Sequence, residues 1–113
     1  MDPHAHLPLR PRDFLVLLVL ADGPLHGYGI LAAVETRVGD EVPLDPANLY
    51  RTLKRLRRDG IVDEAEAPDT EAPLEQRRYF ELTQLGRAVA AAEARRLATL
   101  TAVAVEARLI EPG

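Results

Sequence analysis

The spacing of apolar residues changes several times along the chain, and each change marks an element. Residues 11–21 (PRDFLVLLVLA) are apolar almost all round, opened by Pro11 and stopped by Asp22-Gly23-Pro24. This predicts a short first helix buried on most sides, which needs cover from more than one element, a second subunit among the candidates. In residues 26–38 (HGYGILAAVETRV), Ile30, Leu31, Val34 and Val38 recur at helical spacing, and Gly39 closes a second helix. Gly27 and Gly29 weaken its first turn by up to ~1 kcal/mol each relative to alanine. They call for close packing against a neighbouring backbone. His26 reads as a capping or packing residue at the entrance and Tyr28 as a residue at the edge of the core. Residues 40–44 (DEVPL) form a short connection, with at most a residue or two of strand.

Residues 45–60 (DPANLYRTLKRLRRDG) carry the strongest pattern. Asp45 supplies a cap acceptor, Pro46 fits the first helical position and Gly60 lies just past the end. At 100° per residue, Leu49, Leu53 and Leu56 make one narrow apolar stripe. Arg51, Lys54, Arg55 and Arg58 fall on the opposite side, with Arg57 and Tyr50 on a flank. Beyond Gly60, Ile61, Val62 and Ala65 are the apolar members of IVDEAEA, and PDTEAPLEQ reads as a loop. RRYFELT has strand propensity through Tyr79 and Phe80. These segments predict a β-hairpin with a loop of about nine residues, longer than the favoured two-residue kind. Thr83 caps a last helix from Gln84 to about Leu109. On it Leu85, Val89, Ala92, Leu100, Val103, Ala107 and Ile110 share one side. Arg96 lies within that stripe and calls for Glu93 or a carboxylate across an interface. Nothing else in the chain covers this helix along its length, so a self-associating helix explains the stripe better than a monomeric one.

Three helices followed by a hairpin describe an α+β, mostly α, winged helix-turn-helix: three helices plus a two-stranded β wing, then one long C-terminal dimerisation helix. The domain reading is a flexible lead-in over residues 1–9, a winged-helix DNA-binding domain over 10–83 and the dimerisation helix over 84–110. The third helix is the one that enters the major groove in this architecture, and it is also the cationic one.

Charge sharpens that reading. The chain holds 14 Lys and Arg against 18 Asp and Glu, a formal net charge of −4, yet residues 45–60 carry five of those cations and only two anions. A basic helix on an acidic body is the footprint of a local contact with a polyanion. The competing reading of such a face is simple solvation. One domain is expected from 113 residues, with an aliphatic core, since aromatics make up 4% and Trp is absent. No cysteine excludes disulfides and thiolate chemistry and fits a cytoplasmic protein. The run Phe14–Ala21 is far below the roughly 20 residues that span a bilayer. His4 and His6 read as solvated tail residues with no third ligand, so no metal or cofactor is expected. With no Ser or Cys and no phosphate-cradling glycine loop, an enzyme is not expected either.

The segments PLHGYGI (Pro24–Ile30), NLYRTLKRLRRDGIV (Asn48–Val62) and RRYFELTQLGR (Arg77–Arg87) also resemble, in order and spacing, the PadR-like transcriptional regulators. The branch with a short C-terminus, ending in one long dimerising helix, is the more similar. The resemblance implies a bacterial homodimeric regulator, usually a repressor, that binds a palindromic operator in double-stranded DNA and responds to a small molecule. It places Asn48, Tyr50 and Arg51 on the DNA-facing side of the recognition helix and Lys54 and Arg55 at backbone contacts. Arg77 and Arg78 fall at the basic foot of the wing. Arg58 joins this set from the helix pattern. The dimer interface is expected to use Phe14, Leu18, Leu85, Val89, Ala92, Arg96, Leu100, Val103 and Ala107. An effector, if hydrophobic, would enter between the first and last helices. Two departures stand out: Arg51 occupies a position where many relatives have proline, and the wing tip carries Asp69, Glu71 and Glu75, which phosphate would repel. The alternative function is a winged-helix protein-interaction module without sequence-specific DNA binding.

Overall fold

A computed structural model describes residues 2–66 and 78–113. Among them the order is α1 (Pro11–Leu20), β1 (Leu25–His26), α2 (Gly27–Val38), α3 (Pro46–Arg58), β2 (Val62–Ala65), β3 (Tyr79–Leu82) and α4 (Gln84–Glu106). Short 3-10 turns lie at Pro3–His6 and Gly39–Glu41. This is the mostly helical α+β winged-helix arrangement expected from the sequence. β2 and β3 pair antiparallel, with Val62 opposite Leu82 and Ala65 opposite Tyr79. β1 adds to the other edge of β3, with Leu25 opposite Phe80, so the sheet order is β1-β3-β2. The third strand was not foreseen, because two residues show no period; their pairing is a purely tertiary event.

The core is aliphatic. Leu15, Val16, Leu17, Val19 and Leu20 of α1 meet Ile30 and Val34 of α2, the three leucines of α3, and Ile61, Val62, Phe80 and Val89. The caps form as the residue types dictate. Asp45, Thr83 and His26 each accept a backbone N–H three residues on, His26 through Nδ1 from Gly29 at 3.0 Å. α3 ends in a Schellman motif: the Ile61 N–H donates to the Leu56 carbonyl, the Gly60 N–H to that of Arg57, and Gly60 has φ +78°. That turn sends the chain directly into β2.

The start of α4 seats on the same turn. Thr83 donates from its N–H to the Ile61 carbonyl and from its hydroxyl to that of Gly60. A Cβ on Gly86 would stand 2.0 Å from the Ile61 oxygen. This is where backbone approaches backbone, and it requires glycine. The contacts expected at Gly27 and Gly29 are with side chains instead: Gly27 faces the Tyr50 ring and Gly29 the Leu25 side chain.

Three further expectations are corrected. Tyr28 is exposed, not a core-edge residue. Residues 40–44 hold part of a 3-10 turn and no strand. The lead-in is not free over residues 2–9: its 3-10 turn packs on α4, Leu7 and Leu9 pack against the core, and the Leu9 N–H donates to Glu93 Oε2 at 2.7 Å. A tail of prolines and histidines shows no period, so its anchor, a carboxylate far along the chain, was invisible.

Glu93 is 1% exposed and also accepts from Nε and Nη2 of Arg96. The Arg96 hydrogen bonds hold its carboxyl below the ordinary glutamate range; burial opposes this, and the Leu9 amide adds to it. A lowered folded pKa means stabilisation that is present above the unfolded value, about 4.3, and lost as pH falls through the folded one. Glu93→Gln is expected to cost about 1–3 kcal/mol at neutral pH. Denaturant melts should show the gap from wild type narrowing below about pH 4; a gap unchanged at acid pH would contradict the charged state assigned to Glu93.

Candidate nucleic-acid interface

α3 buries one side completely. Leu49, Leu53 and Leu56 are 0%, 2% and 2% exposed, and Thr52 is buried beside them. The opposite side therefore faces solvent, and its first turn is wired together. The Asp45 carboxylate accepts from the Asn48 backbone N–H at 2.8 Å through Oδ1 and from Asn48 Nδ2 at 2.9 Å through Oδ2. Asn48 Oδ1 in turn accepts from Arg51 Nη2. Both ends of the Asn48 amide are thus engaged. Each end keeps one further donor or acceptor site, and Arg51 keeps most of its guanidinium donors for an external acceptor.

The wing side of α3 carries Tyr50, half exposed, whose hydroxyl oxygen would lie 2.9 Å from a Cβ at Gly27. With Lys54, Arg57, Arg78 and Phe80 it lines a cleft of about 390 Å³. Lys54 is exposed and makes no ion pair among the described residues. Arg57 lies 3.8 Å from Asp63 and 3.6 Å from Glu64. Arg78 donates to Glu64 through Nε, and its guanidinium carbon lies 5.4 Å from the centre of the Phe80 ring. Arg58 is exposed, with Asp59 at 3.5 Å. Arg77 and the acidic residues Asp69, Glu71 and Glu75 lie outside the described residues.

Arg55, expected at a contact to the DNA backbone, has a partner within the chain: its Nη2 donates to both oxygens of Asp13 at 2.6 and 2.7 Å, and Asp13 is 7% exposed. The pair ties α3 to α1. Asp13 needs a cation because a buried carboxylate is otherwise costly, and Arg55 is the one that reaches it. Two cations that the sequence reading passed over, Arg10 and Arg12 at the start of α1, lie along the same edge of α3. No local pattern marks them; the fold brings them there from about 40 residues away.

The expected interface residues separate into three groups. Val89 and Ala92 are 0% and 4% exposed within the chain itself, so they are filled by its own core and do not face a partner; Leu85 is half buried and packs on the same core. The helical stripe was real, but its first half faces inward. Phe14, Leu18 and Arg96 line a groove of about 310 Å³ between α1 and α4, with Leu97 on the same wall. Leu100, Val103 and Ala107 are exposed, Leu100 at 53% and Val103 at 56%. Among the described residues there is no cluster of three metal-ligating side chains and no helix long and apolar enough to cross a membrane.

The profile of the transcriptional regulator PadR-like family matches residues 16–92. An uncharacterized 37.1 kDa protein in transposon TN4556 of Streptomyces fradiae is 42% identical over 95 residues, which are 82% of this chain and 25% of that protein. The chain thus spans a quarter of the length of this curated relative. A PadR family transcription regulator from Clostridium difficile R20291 superposes with a TM-score of 0.69 at 22% identity, covering 83% of this chain and 94% of that one. Bacillus subtilis PadR, solved in complex with operator DNA, superposes with a TM-score of 0.57 at 23% identity, covering 71% of this chain and 44% of that one. At these identities the superpositions speak for the fold.

The two adjacent cations Lys54 and Arg55 are expected to behave differently in the free protein. Arg55→Ala should destabilise by ~1–3 kcal/mol, below the range for fully buried pairs because Arg55 is itself partly exposed. Lys54→Ala should stay within about 0.5 kcal/mol of wild type. Thermal melts of both variants decide it; equal stability would remove Arg55 from its structural role.

Proposed function

This chain belongs to the PadR-like family of transcriptional regulators, and we propose that it is a homodimeric repressor that binds a palindromic operator in double-stranded DNA through α3. The observation that carries this is the exposed face of α3, on which Asp45 and Asn48 hold Arg51 outward while the leucine stripe fixes the helix beneath it. That Bacillus subtilis PadR binds operator DNA supports the same use of the shared fold.

In this mechanism the two α3 helices of a dimer enter successive major grooves about 34 Å apart. Arg51 reads guanine O6 and N7, the acceptor pair its planar fork matches. Asn48 and Tyr50 border it. Lys54 and Arg58 neutralise phosphates and release counterions, so binding weakens steeply with salt. Arg78, with Arg77 beside it in sequence, serves the backbone at the wing.

Homodimerisation is supported by the C-terminal half of α4, where Leu100 and Val103 are exposed, and by Ile110, exposed just beyond its end. The groove at Phe14, Leu18 and Leu97 lies on the same part of the molecule. A second α4 across these surfaces would remove from water what a single chain leaves exposed. A hydrophobic effector fits the same groove, whose walls are mainly aliphatic with Glu93 and Arg96 at one side.

Fluorescence anisotropy on the DNA upstream of the gene, against a scrambled duplex and across a salt series, tests the DNA reading. Arg51→Ala is expected to lose ~1–3 kcal/mol of discrimination between the two duplexes. Lys54→Ala, which removes two cations from a bound dimer, should weaken both equally and make the salt slope less negative by about 1.8. Identical losses for both variants on both duplexes would overturn this division of roles. Light scattering should give twice the chain mass for wild type and a lower mass for Leu100→Asp/Val103→Asp; a wild-type monomer would remove the palindromic operator with it.

A further inference from the structure

We propose that the cleft between the start of α1 and α3 is a second phosphate-binding edge, which holds the sugar–phosphate strand on the side of the major groove away from the wing. This rests on the reading of α3 as the DNA-binding helix.

The cleft has a volume of about 250 Å³ and gathers Arg10, Arg12, Arg51 and Arg55 around one carboxylate, that of Asp13. Arg55 and Asp13 satisfy each other. The three other guanidinium groups make no ion pair among the described residues, in a chain whose net charge is −4. Arg10 and Arg12 are exposed, and neither side chain makes a hydrogen bond or an ion pair among the described residues. Below Arg10 the surface continues past His6 to Asp59, whose carboxylate already faces Arg58 at 3.5 Å.

The geometry of a groove explains why such an edge is needed. The major groove is about 12 Å wide and a helix with its side chains about 10 Å across, so a seated helix has a phosphate strand along each flank. One flank of α3 is the Tyr50 cleft. Of its three cations Lys54 makes no ion pair among the described residues, whereas both arginines, Arg57 and Arg78, are held by Glu64, which must release them before phosphate gains them. The other flank is the α1 edge, where Arg10 and Arg12 make no ion pair among the described residues, although Arg12 also borders a second cleft that holds Glu35, Asp40 and Asp45. Guanidinium groups bind phosphodiester oxygens through paired N–H donors. Free arginines on this flank therefore add more to affinity than the compensated ones at the wing, and they add it for every sequence alike.

The test uses the full chain with two labelled duplexes: one enriched by this protein from a randomised library, and its scrambled counterpart. Arg10→Gln/Arg12→Gln, which removes four cations from a bound dimer, is expected to bind both about tenfold or more weakly at ~0.1 M salt, with a salt slope less negative by about 3.6 and the preference ratio unchanged. Arg78→Gln should lose less. Arg10→Lys/Arg12→Lys should keep the wild-type slope. Arg10 and Arg12 are exposed, so melting temperature should not move in the variants at these two positions. Wild-type affinity and slope in the double glutamine variant would overturn the α1 edge and leave the DNA reading intact. A loss confined to the enriched duplex would also overturn it, because it would make these residues readers of bases. If the wild type shows no preference for its own enriched duplex, the DNA reading fails first and the edge with it.

Discussion

Burial of Leu49, Leu53 and Leu56 along one side of α3 sets the rotation of that helix, and the outward chemistry of the molecule depends on it. Each buried leucine contributes about 1.5–3 kcal/mol relative to exposure, and the stripe is narrow, so few rotations of the helix bury all three. The polar remainder of α3 must then face water. The same stripe runs into the Schellman turn at Gly60, whose Ile61 continues the core and whose carbonyls receive Thr83. Gly86 lets α4 close onto that turn. The exposed face of α3, the β2–β3 pair and the start of the last helix are thereby held in one relation to each other by a single packed junction.

Around this junction the arginines have quite different circumstances. Arg55 is bound to a buried carboxylate and joins α1 to α3. Arg57 and Arg78 share Glu64. Arg51 is steered by an amide that is itself steered by the cap of its own helix. Arg10 and Arg12 are unengaged among the described residues. Charge alone makes all of these candidates for phosphate. Only the position of each carboxylate separates the cations that hold the protein together from those available to a polyanion.

The last helix shows the same division along its length. Its first half is buried against the chain's own core at Val89, Ala92 and Glu93, and the amide of Leu9 reaches the carboxylate there. Its second half carries Leu100 and Val103 into solvent. One continuous apolar stripe therefore serves two different neighbours: the domain that precedes it, and whatever covers the exposed end.

The sequence by itself determined the helices, their caps, the hairpin strands and the face that α3 turns outward. These are local matters: periodicity, a cap acceptor three residues before an amide, a glycine at positive φ. The amphipathic period of α3 was strong enough to predict its three buried leucines individually. Tertiary structure alone decided the strand at Leu25–His26, the docking of the lead-in on Glu93, the pairing of Arg55 with Asp13, the arrival of Arg10 and Arg12 beside α3, and the point along α4 at which the stripe changes from core to surface. Each of these joins residues distant in the chain through a contact of one or two groups. Such a contact leaves no period to read, and its partner is chosen by which buried charge or unpaired amide the folded packing brings within reach.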